Sequence, residues 1–247
     1  GLPLDFYAAG PRCFYGRYGW GAASTAFQLQ LGDAAESTIG HQHGDYGTFQ
    51  LWRQGRFVSH ETAGYSGDSS TEVAGYAGVG SVDSATGIAH NTVLVDGATP
   101  GQNPGPQYSD RAAVVERLES RSDYAFAVVD LVPPATRMQE WRREFVFVRP
   151  LETLVILDRL QTASPVATKT FLNHCETNPA VSGNNAATCT VGTQALVMTT
   201  LLPAQRTYRV VDEGSHPNSQ YRIEVDTTPA TSQSYILTVL QAKGASD

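Results

Sequence analysis

An antiparallel β-sandwich of two packed sheets is the fold this sequence predicts, on three observations. Helical periodicity is scarce along the 247 residues, short segments rich in Val, Thr, Tyr, Phe and Leu recur for most of the length, and turn residues separate them. So many strands at such spacing exceed what one flat sheet accommodates, and two antiparallel sheets packed face to face are the expected answer. The first clear pair is 48–53 and 57–61, joined through Gln54-Gly55-Arg56, and the second is 114–119 and 124–131, joined through Arg121-Ser122-Asp123. Further strands are read at 144–148, 154–160, 168–174, 196–202, 207–211, 221–226 and 234–240.

Two stretches break this rhythm: 62–87, with six glycines, and 98–109, with three prolines and two glycines. Long loops in a compact domain are usually functional or disordered. The first lies within the histidine constellation described next and is expected to be functional, and the second reads as an exposed connection. No internal repeat or composition shift marks a boundary, so 1–247 is expected to be one domain.

The charge balance, 17 basic against 24 acidic residues and a net charge of −7, includes no Lys/Arg cluster. A nucleic-acid surface is therefore not expected. No apolar run approaches the roughly 20 residues a membrane helix needs, and no membrane partner is expected either. The chain opens Gly-Leu-Pro without a signal peptide and reads as a mature chain or a piece of something longer. Cys175 and Cys189 bracket the turn-forming Asn178-Pro179 and Gly183-Asn184-Asn185. That arrangement suits a disulfide across a hairpin, the alternative being two buried thiols. The bridge is favoured, which leaves Cys13 outside it and points to an oxidising compartment, periplasmic or secreted.

The chemistry concentrates in 41–92. His41-Gln42-His43-Gly44-Asp45 is followed by Glu61 after a strand-turn-strand and by His90-Asn91-Thr92 after the glycine-rich loop. Four of the six histidines, His41, His43, His60 and His90, fall in this window. Any one of them alone is more often a surface or hydrogen-bonded core residue, but the group together reads as a site. In a strand, His41, His43 and Asp45 would project from one side. Imidazole and carboxylate ligands drawn from separate strands are what a zinc ion takes.

Arg17-Tyr18-Gly19-Trp20, His41-Gln42-His43-Gly44-Asp45-Tyr46-Gly47-Thr48-Phe49, Gly55-Arg56, Glu61, Gly64-Tyr65 and His90-Asn91-Thr92-Val93-Leu94-Val95-Asp96-Gly97 resemble the C-terminal β-domain of the heparinase II/III-like polysaccharide lyases. That group includes heparin, heparan and alginate lyases. The resemblance spans 12–97, and Arg143 to Val148 with Leu154 to Asp158 looks like the family's next strand pair. Beyond about residue 175 the sequence is generic β.

The resemblance implies a two-part enzyme: an N-terminal α/α toroid, not visible in these residues, that supplies a catalytic tyrosine with an Asn or His, and this sandwich closing over the cleft. It implies cleavage of an acidic, uronate-containing polysaccharide by β-elimination, with the toroid of the same enzyme as partner. His41 matches the family's active-site histidine, and His43 and His90 match two metal ligands. Glu61 stands where the family usually has aspartate. His60 beside it is the alternative, but adjacent strand residues face opposite ways, and Glu61 is chosen. Tyr76 is placed like a substrate-contacting tyrosine of the alginate-lyase branch, with Tyr65 as its competitor. Arg17 is read as a carboxylate clamp, although an arginine packed on Trp20 at the core edge fits as well. Asp45 is read as orienting a ligand imidazole rather than as a ligand. The zinc itself is implied to be structural.

Two other readings stand beside the lyase. One is a non-catalytic, zinc-stabilised carbohydrate-binding or structural module, which several hundred helical residues encoded before Gly1 would argue against. The other is a zinc hydrolase, for which no further carboxylate sits at a spacing suited to a general base.

Overall fold

The computed structural model describes residues 1–32, 47–62, 72–74, 81–83, 87–96, 113–131, 138–214 and 220–247. Every strand pairing among them is antiparallel. In chain order the strands are β1 (Asp5–Ala8), β2 (Cys13–Arg17), β3 (Thr25–Gln30), β4 (Phe49–Arg53), β5 (Arg56–Ser59), β6 (Glu72–Ala74), β7 (Ser81–Asp83), β8 (Val93–Asp96), β9 (Val114–Ser120) and β10 (Tyr124–Asp130). There follow β11 (Met138–Val148), β12 (Thr153–Thr162), β13 (Thr168–Cys175), β14 (Ala180–Ser182), β15 (Ala186–Val191), β16 (Gln194–Leu202), β17 (Arg206–Asp212), β18 (Tyr221–Thr227) and β19 (Gln233–Gly244). No helix among the described residues is long and apolar enough to cross a membrane.

The all-β expectation holds, with a subdivision that the sequence pattern did not reveal. An eight-stranded sheet, β14-β15-β16-β19-β12-β11-β10-β9, packs against a five-stranded sheet, β1-β2-β3-β4-β5, and a four-stranded sheet, β17-β18-β13-β8, while β6 and β7 pair by themselves. One apolar core joins the three larger sheets: Phe27 of β3 meets Phe147 of β11 with ring centroids 4.9 Å apart, and Phe49 of β4 stacks on Phe171 of β13 at 6.0 Å. Period-two alternation explains the burial. On β12, Leu154, Ile156, Asp158 and Leu160 point inward while the residues between them are half-exposed. β13 and β18 are buried on both faces.

The β4–β5 hairpin turns through Gln54 and Gly55 with φ of 45° and 77°, left-handed at both positions, which is why the connection can be this short. The strand ends after Ser59, so His60 and Glu61 lie beyond it and not within it. β11 begins six residues before the predicted start at 144, because Glu140, Arg142 and Arg143 conceal the apolar alternation.

Cys175 and Cys189 are bonded, with Cα atoms 6.0 Å apart. The bridge does not span a hairpin. It ties the end of β13 in the four-stranded sheet to β15 in the eight-stranded sheet, stapling one layer to the other. Closing a loop of sequence separation 14 restricts the unfolded chain. Cys175→Ser/Cys189→Ser is therefore expected to lose about 3 kcal/mol of stability. Chemical denaturation of the two proteins under oxidising conditions measures it, and equal midpoints would mean that the staple adds nothing.

Candidate functional site

Three segments converge beside the four-stranded sheet: Gly47-Thr48 entering β4, Glu61-Thr62 leaving β5, and His90-Asn91-Thr92 between a short 3-10 turn at Gly87–Ala89 and β8. The Thr62 amide donates to the Ala89 carbonyl at 3.1 Å, which clamps the second segment to the third. Glu61 and His90 meet here, Oε2 to Nδ1 at 3.2 Å, both buried. The Thr48 hydroxyl donates to Glu61 Oε1, and the Asn91 amide in turn donates to Thr48 Oγ1 at 3.1 Å. Burial alone would raise the Glu61 pKa. The positive field of His90, the His90 and Thr48 hydrogen bonds and the Asn91 amide overcome it and hold the carboxyl below its usual range.

Asn91 is the hub of this cluster. Its side-chain amide donates to the Phe49 carbonyl at 2.7 Å and to Ser59 Oγ at 3.2 Å, and its Oδ1 accepts from the His174 amide at 2.8 Å. The His174 ring sits with Nδ1 3.0 Å from the same oxygen and Nε2 3.1 Å from the Ile88 carbonyl. Burial, and after it the charge of Arg222 and the neighbouring His90 and His60, hold His174 well below the usual imidazole range. Behind it runs a buried charge ladder. Glu213 accepts from Thr62 and Arg222, Arg222 reaches Glu224 at 2.8 Å, Glu224 pairs with Arg209 at 2.7 Å, and Arg209 pairs with Asp226.

The other support comes from the eight-stranded sheet. Arg143 grips Asp158 through Nε at 2.6 Å and Nη2 at 2.9 Å, and Trp141 Nε1 donates to the same carboxylate at 2.8 Å. The remaining Arg143 nitrogen donates to the Gly47 carbonyl at 2.6 Å and the Asn91 carbonyl at 3.2 Å. Gly47 has φ of 71°, and a Cβ there would lie 2.4 Å from Leu131 Cδ1, so any other residue would be strained and would have to displace Leu131.

Of the residues singled out from sequence, the structure brings Glu61 and His90 together. The His60 ring lies 4.3 Å from that of Phe57. Arg17 stands apart at the end of β2, with its guanidinium 3.9 Å over the Trp20 ring. His41, His43, Asp45, Tyr65 and Tyr76 lie outside the described residues. Sequence reasoning gave His174 no part, and named Thr48 and Asn91 only within motifs. The signal for Asn91 was its place directly after His90, but its partners Phe49, Ser59, Arg143 and His174 come from distant strands.

The Glu61 Oε2 to His90 Nδ1 separation is close to the edge of a tetrahedron with bonds of about 2.0 to 2.1 Å, so the pair fits two of the ligands of a zinc ion. Among the described residues no third His, Cys, Asp or Glu completes a cluster.

The family described as Heparinase II/III-like, C-terminal, matches residues 14–246. No curated protein matches the sequence. Similar solved structures include a Heparinase III-BT4657 gene product (TM-score 0.73, 15% identity, covering 98% of this chain and 36% of that one), a heparinase III (0.70, 17%, 98% and 37%) and the heparan sulfate lyase HepC from Pedobacter heparinus (0.71, 14%, 99% and 37%). At these identities the likeness is one of fold. The chain spans little more than a third of the length of each.

Proposed function

The chain belongs to the heparinase II/III-like C-terminal family, and from that footing we propose that it is the β-sandwich part of a polysaccharide lyase that cleaves an acidic, uronate-containing glycan by β-elimination. An N-terminal toroid of the same enzyme is the proposed partner, and the part of the matched structures that this chain does not cover leaves room for one. The observation that carries the reading is the buried Glu61–His90 pair, assembled from the segments that follow His41-Gln42-His43-Gly44-Asp45 and open His90-Asn91-Thr92.

In the elimination a base removes the C5 proton α to the carboxylate, the electron pair forms the C4–C5 double bond, the C4–O bond breaks, and an acid protonates the leaving oxygen. His41 is assigned to the substrate carboxylate or to the proton transfer, Tyr76 to contact with the sugar, and Arg17 and Tyr65 to binding it. Zinc held by His43, Glu61 and His90 would contribute rigidity, pinning the three segments beside the cleft. His43 precedes Thr48, the hydrogen-bond donor to Glu61, by five residues. Five residues reach up to about 17 Å, ample for its imidazole to join the pair. The Cys175–Cys189 bridge supports a periplasmic or secreted location.

Incubating the complete protein with heparan sulfate, heparin and alginate, and following the absorbance of unsaturated uronate, tests the reaction. Absorbance should grow with one of these glycans. None with any uronate polymer would leave a binding module. Metal analysis by plasma emission tests the ion. About one zinc per chain is expected, lost in His43→Ala/His90→Ala and released as acid protonates the ligands. Less than a tenth of an equivalent in protein purified without chelator, or full retention in the double variant, would remove zinc from the assignment.

A further inference from the structure

The outward face of the five-stranded sheet has a composition that the elimination site does not explain. Strand register lines up two rows across it. In the first, Phe6 of β1 stands opposite Tyr15 of β2, Tyr15 opposite Gln28 of β3, and Gln28 opposite Gln50 of β4. In the second, Arg17 of β2 stands opposite Ala26 of β3, Ala26 opposite Trp52 of β4, and Trp52 opposite Phe57 of β5. The alternate positions, Phe14, Phe27, Leu29, Phe49 and Leu51, fill the core, so these rows must face outward. Phe6 is 64% exposed, Tyr15 37%, Phe57 44% and the adjoining Trp20 55%. Single exposed aromatics need no explanation, but a set drawn from four of the five strands onto one face does.

The arrangement is aromatic at both ends and amide in the middle, with small Ala26 standing between Arg17 and Trp52. Neither row contains a carboxylate, in a chain whose net charge is −7. At one end Leu2, Leu4, Phe6, Tyr15, Arg17 and Trp20 help to wall a recess of about 190 Å³, whose one carboxylate, Asp5, is nearly buried and paired with Arg149. A sugar ring presents an apolar C–H face that packs on an aromatic ring, and hydroxyls that pair with primary amides. A guanidinium takes a carboxylate or sulfate in bidentate fashion. A protein partner would favour an apolar centre over two glutamines.

We infer that this face is a platform for an acidic polysaccharide, which lies across the strands from the Arg17–Trp20 recess to Trp52 and Phe57. From β1 to β5 the platform measures about 19 Å at ordinary strand spacing, the length of a short oligosaccharide. The inference rests on the proposed reading of Arg17 as a substrate contact and extends it to a surface that holds the polymer without reacting with it.

The three tryptophans make the test direct. Trp20 and Trp52 border the platform, whereas Trp141 is buried in the core and bonded to Asp158. Heparan sulfate or alginate oligosaccharides titrated into the chain should change tryptophan fluorescence saturably. By calorimetry, Tyr15→Ala/Trp52→Ala should weaken binding about tenfold or more with the melting temperature retained. Arg17→Gln should remove the preference for these glycans over an uncharged cello-oligosaccharide. No fluorescence change with either acidic glycan, or equal affinity in the double variant, overturns the platform. So does self-association of the chain that the double variant abolishes, or shielding of the tryptophans from acrylamide by an N-terminal part of the protein. Elimination without binding on this face refutes the platform and leaves the lyase standing. Binding without elimination does the reverse.

Discussion

Arg143→Met is expected to lower the unfolding free energy by about 3 to 5 kcal/mol, the usual cost of stranding one partner of a buried ion pair. Arg143 and Asp158 are wholly buried, and among the described residues the substitution leaves the carboxylate only the Trp141 Nε1 donor. It also withdraws the donor from the Gly47 and Asn91 carbonyls, which sit on two of the three segments that build the site. On the proposed zinc assignment, stability and zinc content should therefore fall together. The ion pair itself is not the source of the stability: Arg143→Met/Asp158→Leu removes both charges and should recover much of the loss in unfolding free energy, though not the grip on Gly47 and Asn91. Urea denaturation of the single and double variants measures both effects. A single variant within about 1 kcal/mol of the wild type would show that the pair and its carbonyl contacts are dispensable.

The same residue shows why parts of the chain were legible and others were not. Leu154 to Leu160 and Ser234 to Leu240 alternate visibly, and both lie in long central strands of the eight-stranded sheet. β11 starts earlier than its sequence suggested because an arginine occupies an inward position, which Asp158 on the neighbouring strand and the Gly47 and Asn91 carbonyls make tolerable. β18 carries Arg222, Glu224 and Asp226 along one face. Such a pattern reads as a solvated side, yet that face is buried, and each charge is answered by Arg209, Glu213 or its own neighbours two residues away. The disulfide was visible as a pair of cysteines, but its placement between sheets depended on strand order, which local sequence does not encode. In the site, residue types suited to metal and acid-base chemistry pointed to Glu61 and His90. Thr48 and His174 were given no role because a hydroxyl or an imidazole becomes significant only through partners far away in sequence.

His41→Ala in the complete enzyme is expected to lower the elimination rate by two to three orders of magnitude, about 3 to 4 kcal/mol of transition-state stabilisation, with fold and zinc intact. His41 and His43 are two residues apart, so in an extended segment they share a side, and one imidazole can hold the metal while the other reaches the cleft. The sequence that carries them runs into Gly47 and Thr48, which Arg143 and Glu61 hold by hydrogen bonds. A histidine assigned to the cleft would act on the charge that develops in the transition state. Removing its imidazole leaves every described contact of Glu61, His90 and Asn91 in place, which is why metal content should not follow activity. Turnover on the preferred uronate polymer and zinc per chain, measured side by side in His41→Ala and wild type, decide the role. Wild-type turnover would take His41 out of the active site, and zinc lost along with activity would make it a ligand.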